Sequence, residues 1–105
     1  MKNDLYIETG KILELIQFWE EELRKLTIKY NIQESDDKRS LSNMNSFLLK
    51  SNVITNDEYL CIKKVIEIRN IIIHRLFLEL NNETLNKINS MKEVINTSLK
   101  IFKTK

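Results

Sequence analysis

A chain of 105 residues has room for one domain, expected here to span residues 1–105 and to bury roughly two thirds of its unfolded surface around one core. It contains no proline and a single glycine, Gly10, so the breakers that punctuate β-rich folds are almost missing and an all-α fold is expected. The net charge of +2 excludes a binder driven by basic tails and leaves any contact with nucleic acid to a local patch.

The opening residues Met1-Lys2-Asn3-Asp4-Leu5 begin no apolar leader, and no apolar run reaches the ~18 residues of a membrane span, so a cytoplasmic protein with no membrane contact is expected. The first helical pattern carries Ile12, Leu13, Leu15, Ile16, Trp19, Leu23, Leu26 and Tyr30 at intervals of three and four, with the run Glu20-Glu21-Glu22 read as its wet face. From Asn31 to Ser40 the pattern lapses into a polar loop with no apolar anchor. A shorter helix then carries Leu41, Met44, Phe47 and Leu48 and ends near Ser51-Asn52.

Thr55-Asn56-Asp57-Glu58 sets a hydroxyl three residues before a glutamate, the pairing that satisfies the free N–H groups of a helix start. The third helix is expected to begin there and to run to about Leu80-Asn81-Asn82. The last, from about Glu83, repeats Leu85, Ile88, Met91, Ile95, Leu99 and Phe102, with Lys100, Lys103 and Lys105 suited to the negative pole of its dipole. Trp19, Phe47, Phe77 and Phe102 read as core or interface aromatics. Four amphipathic segments with short connections point to an antiparallel up-and-down four-helix bundle.

Cys61 is the only cysteine, which excludes an internal disulfide framework and fits a reducing cytoplasm; with one histidine it leaves no conventional zinc centre, and no metal or cofactor is expected. No Gly-rich phosphate loop exists, so kinase, GTPase and dinucleotide chemistry lack their parts.

The third helix also carries the chemistry. Arg69-Asn70-Ile71-Ile72-Ile73-His74 brings a permanently charged fork, an amide and the only imidazole into one stretch. Arginine grips phosphate bidentately, and imidazole gives or takes a proton near neutrality. Cleaving RNA through its 2′-hydroxyl needs such proton transfers and cationic donors where charge builds on phosphorus. On an ideal helix at about 100° per residue, Lys63, Glu67, Asn70 and His74 form one polar strip. Cys61, Ile62, Val65, Ile66, Ile72, Ile73 and Leu76 occupy the opposite arc, and Arg69 falls in its middle, where it needs compensation. Three isoleucines in succession sweep about 200° of the helix, more than one core requires, which suggests a second apolar contact with a symmetric partner.

An arginine, a polar residue, three further positions and a histidine on the third helix of a small all-α domain resemble the signature of the HEPN superfamily (higher eukaryotes and prokaryotes nucleotide-binding domain). The similarity covers the whole chain in architecture and six residues in sequence. It implies a metal-independent endoribonuclease, a homodimer with both signature pairs facing one interface cleft, belonging to a toxin or phage-defence system. In that scheme His74 is acid or base, Arg69 stabilises the phosphorane and Asn70 orients a phosphate oxygen or the imidazole. Lys63, Lys64 and Arg75 add local positive charge that guides the RNA backbone. The chain departs from one branch of the family, in which a tyrosine two residues after the histidine accepts a nucleotide from a partner nucleotidyltransferase. Leu76 stands there, so an antitoxin would have to act in another way.

Each of these residues has a plainer role beside the chemical one. His74 can be a surface histidine, Arg69 a structural arginine paired with a glutamate of the first helix such as Glu14 or Glu21, and Lys63, Lys64 and Arg75 solvated charges. The alternative functions are a catalytically silent HEPN-like module that binds nucleic acid, nucleotide or protein, and a plain helical dimerisation domain.

Overall fold

The apolar stripe that begins at Ile12 becomes the spine of the molecule. In the computed structural model the backbone is described for residues 2–30, 40–75 and 82–105, and the side chains for these except 2–6, 8, 9, 75 and 82–88. The described residues form four helices and no strand: α1 (Lys2–Tyr30), α2 (Leu41–Lys50), α3 (Asn56–Arg75) and α4 (Asn82–Lys103).

Along α1, Ile12, Ile16, Trp19, Leu23 and Leu26 are buried at alternating intervals of four and three, a continuous inward seam. Leu13 and Tyr30, expected in that stripe, are exposed, and Leu15 is half-buried. The helix starts at Lys2, well before Ile12, because a turn already nucleated propagates at little cost.

Ser40 lies in the stretch read as loop but is the N-cap of α2, its Oγ accepting the Asn43 N–H at 3.1 Å. The helix ends in a Schellman turn: Asn52 takes the left-handed conformation (φ 59) and the Val53 N–H reaches back to the Leu48 carbonyl at 3.0 Å. At α3 the predicted capping box is formed. The Glu58 carboxylate accepts the Thr55 N–H at 2.8 Å, and the Thr55 hydroxyl accepts the Glu58 N–H at 3.2 Å. The expected end of α3 beyond Arg75, with Leu76, Phe77 and Leu80, lies outside the described residues.

The principal helix contacts close a ring, α1 against α4, α4 against α3, α3 against α2, and α2 against α1. Inside it Trp19 is fully buried, its ring tilted 34° from that of Phe102 at a centroid distance of 6.0 Å. Each large apolar side chain fully buried in this core contributes about 1.5–3 kcal/mol. The Trp19 indole N–H donates to Ser98 Oγ at 2.8 Å, which satisfies the one polar group that Trp19 brings inside. Asn45 is also buried; its amide donates to the Tyr59 carbonyl at 3.1 Å and couples α2 to the first turn of α3.

The up-and-down order does not hold. Trp19 meets Ser98 and Phe102, while Lys29 and Tyr30 both donate to the Lys105 main-chain carbonyl, at 2.7 and 2.6 Å. Where they pack, α1 and α4 therefore run in the same sense. The cause is the length of α2. Ten residues of helix advance about 15 Å, against about 43 Å for the 29 residues of α1. So short an element cannot return the chain to the far end, and α3 begins near where α1 finishes: its Glu58 pairs with Lys105 at 2.9 Å. The outcome is an elongated body of 48 × 25 × 18 Å whose long axis is close to the length of α1.

Candidate functional site

The inner face of α3 is aliphatic. Ile62, Val65, Ile66, Ile68 and Ile72 are buried, and Arg69, within the same arc, keeps about a third of its side chain exposed. Its charge is compensated from across the bundle. Arg69 Nε donates to a carboxylate oxygen of Glu20 on α1, and Nη1 donates to Asn70 Oδ1 at 3.0 Å. The partner is a glutamate of the first helix, as expected, but Glu14 and Glu21, the examples expected, are both exposed and do not take this role. Periodicity gives the reason: with the buried seam centred near Leu23, Glu14 and Glu21 fall on the opposite side of α1, whereas Glu20 borders the seam. Glu20, read as part of a wet face, is the site residue that the sequence reading missed. The signal that could have found it was its place next to Trp19 at the margin of the apolar arc.

Asn70 and His74 lie one turn apart on the same strip and are exposed, as is Lys63, which precedes them on that strip. The strip is bordered on both sides by apolar surface. Ile71 is 45% exposed and Ile73, expected in the apolar arc, is 37% exposed, while Ile72 between them is buried. Arg69 and His74 are five residues apart and so diverge by about 140° around the helix. One chain does not place guanidinium and imidazole on a single face. Asn70 links them, bonded to Arg69 on one side and sharing the strip of His74 on the other. Lys64 is exposed on the outer face of α3, and the Arg75 side chain lies outside the described residues.

The Cys61 thiol is half-buried. Burial pushes its pKa up and the nearby Lys64 charge draws it only partly back, which disfavours the reactive thiolate. Glu58 behaves in the opposite way. Burial alone would raise its pKa, but the Thr55 N–H, the Lys105 ammonium and the Thr55 hydroxyl together hold the carboxyl below its ordinary value. Among the described residues no cluster of His, Cys, Asp and Glu could hold a metal ion, and no helix is long and apolar enough to cross a membrane.

What the arrangement can do follows from its parts: a guanidinium fork fixed at one edge, an amide that continues it, and an accessible imidazole one turn further on. Compared with protein-family models, curated proteins and solved structures, the chain matches none, so this geometry is what its function is argued from.

Proposed function

We propose that the chain is a metal-independent endoribonuclease of HEPN type, acting in the cytoplasm as a homodimeric toxin or phage-defence effector, with a differently acting antitoxin as its regulator. The observation that carries this reading is the anchoring of Arg69. An arginine presents five N–H donors in a rigid fork; Glu20 and Asn70 engage two of them, which fixes the plane of the fork and leaves donors for a phosphate oxygen.

In the proposed reaction a base removes the proton of the ribose 2′-hydroxyl, the oxygen attacks the adjacent phosphorus, and the departing 5′-oxygen takes a proton from an acid. The products are a 2′,3′-cyclic phosphate and a free 5′-hydroxyl. His74 performs one of the two proton transfers, Arg69 faces the charge that builds on phosphorus, and Asn70 orients a phosphate oxygen or the imidazole. A lone histidine cannot serve both ends of the reaction, so the second proton-transfer group comes from a second copy of the chain. Lys63, Lys64 and Arg75 supply the local positive charge for the RNA backbone.

Replacement of His74 by alanine is expected to lower cleavage of a mixed RNA substrate by about a hundredfold or more, with the helical circular dichroism unchanged and growth arrest on expression relieved. Equal cleavage by the His74→Ala and wild-type proteins would remove the catalytic assignment.

One observation favours a second reading. The bond from Arg69 Nε to Glu20 already gives the guanidinium a structural role, as expected of a silent HEPN-like module or a plain dimerisation domain. A silent RNA binder shifts RNA in a gel without cutting it, and a pure dimerisation domain does neither.

A further inference from the structure

The outer face of α3 carries a second seam, separate from the core and from Arg69, that shares Lys64 and His74 with the proposed RNA site. Asp57, Leu60, Lys64, Glu67, Ile71 and His74 recur at alternating intervals of three and four, and all six are exposed. They fall within an arc of about 100° turned away from the buried face. Leu60 and Ile71 are 51% and 45% exposed, aliphatic side chains left open on this face. Among the described residues, Asp57, Lys64, Glu67 and His74 form no ion pair within the chain.

The order of these residues is palindromic in character. Turned end for end about a twofold axis between Val65 and Ile66, the seam sets Leu60 against Ile71, Lys64 against Glu67 and Asp57 against His74, each pairing occurring twice. Every pairing is complementary: apolar with apolar, ammonium with carboxylate, carboxylate with imidazole. The two helix dipoles also oppose each other in this arrangement. A parallel pairing would instead set Lys64 against Lys64 and Glu67 against Glu67. The outer face of α1 makes the contrast. It too exposes apolar residues at seam spacing, Ile7, Phe18 and Ile28, but turning it about an axis between Gln17 and Phe18, which sets Ile7 against Ile28, also sets Glu14 against Glu21, carboxylate on carboxylate.

We propose that α3 is a self-docking surface, and that two copies of this chain associate through it as an antiparallel helix pair with Lys64 and Glu67 at its centre. This goes beyond the ribonuclease reading and does not rest on it. It departs from the single cleft that the family resemblance implies, because the two His74 side chains end about 25 Å apart along the seam, each facing Asp57 of the other copy. If the chain cuts RNA, the group that completes each site is then a carboxylate and not a second imidazole.

The test is the solution mass of the full chain over a concentration series with no RNA present, alongside circular dichroism to verify folding. Wild type is expected to dimerise. Lys64→Glu and Glu67→Lys, each alone, put like charges opposite one another twice and are expected to weaken the dimer about tenfold or more. An equimolar mixture of the two variants, and the double variant carrying both changes, restore the pairing and should recover the dimer. A monomeric wild type, single variants that dimerise like wild type, or a mixture that fails to recover would each overturn the proposal. RNA cleavage is not read, so failure here leaves the assignment of His74 to be judged by its own assay.

Discussion

Trp19 and Ser98 are both fully buried, and the indole N–H donates to the Ser98 hydroxyl in the core. Keeping such a bond stabilises modestly; leaving its donor orphaned costs more, because the buried N–H loses water without gaining a partner. Ser98→Ala is therefore expected to destabilise the fold by about 1–3 kcal/mol, measured by denaturant unfolding followed through the single tryptophan. A change of a few tenths would mean that the hydroxyl contributes little. The sequence named Trp19 as core but said nothing of Ser98, since a serine one residue before Leu99 looks like any solvated position. Arg69 shows the same limit. Its need for a compensating carboxylate was legible from its place in the aliphatic arc, and the helical angle along α1 selects Glu20 over Glu14 and Glu21.

At the scale of elements, the start of α3 carries more than a cap. Glu58 closes the capping box with Thr55 and also pairs with Lys105, so one carboxylate ties the first turn of α3 to the end of α4. Its folded-state pKa is lowered, so the stability it contributes is fully present above the ordinary glutamate pKa and is lost as the pH falls through the depressed value. Glu58→Gln retains a capping acceptor but not the charge. The variant should be less stable than wild type at neutral pH, and the gap should close on the acid side of the glutamate range. A gap independent of pH in equilibrium unfolding would show that the cap and not the charge matters. This cap was visible in the sequence because both halves lie within four residues. The cap of α2 was not read, since Ser40 has no glutamate or glutamine three positions on and closes the helix with a single bond to Asn43.

The whole molecule is held at two levels along its length. At one end Lys29, Tyr30, Glu58 and Lys105 join α1, α3 and α4; further along, Arg69 and Glu20 join α3 to α1. The helix count and most of the buried seam were legible, because periodicity is local; the relative sense of α1 and α4 was not, because it depends on how far the short α2 carries the chain. This frame sharpens the question of what Arg69 is for. A double-mutant cycle on Glu20→Ala and Arg69→Ala should show a coupling of about 0.5–1.5 kcal/mol in unfolding free energy, modest because both groups keep some access to water. The same two variants discriminate the roles when assayed on RNA. If Glu20 only balances a buried charge, its loss lowers stability and leaves cleavage per folded molecule unchanged. If it holds the fork in the plane that a phosphate needs, Glu20→Ala loses cleavage at temperatures where the protein remains folded, and the loss follows kcat as it does for Arg69→Ala, since the fork acts on the charge of the transition state.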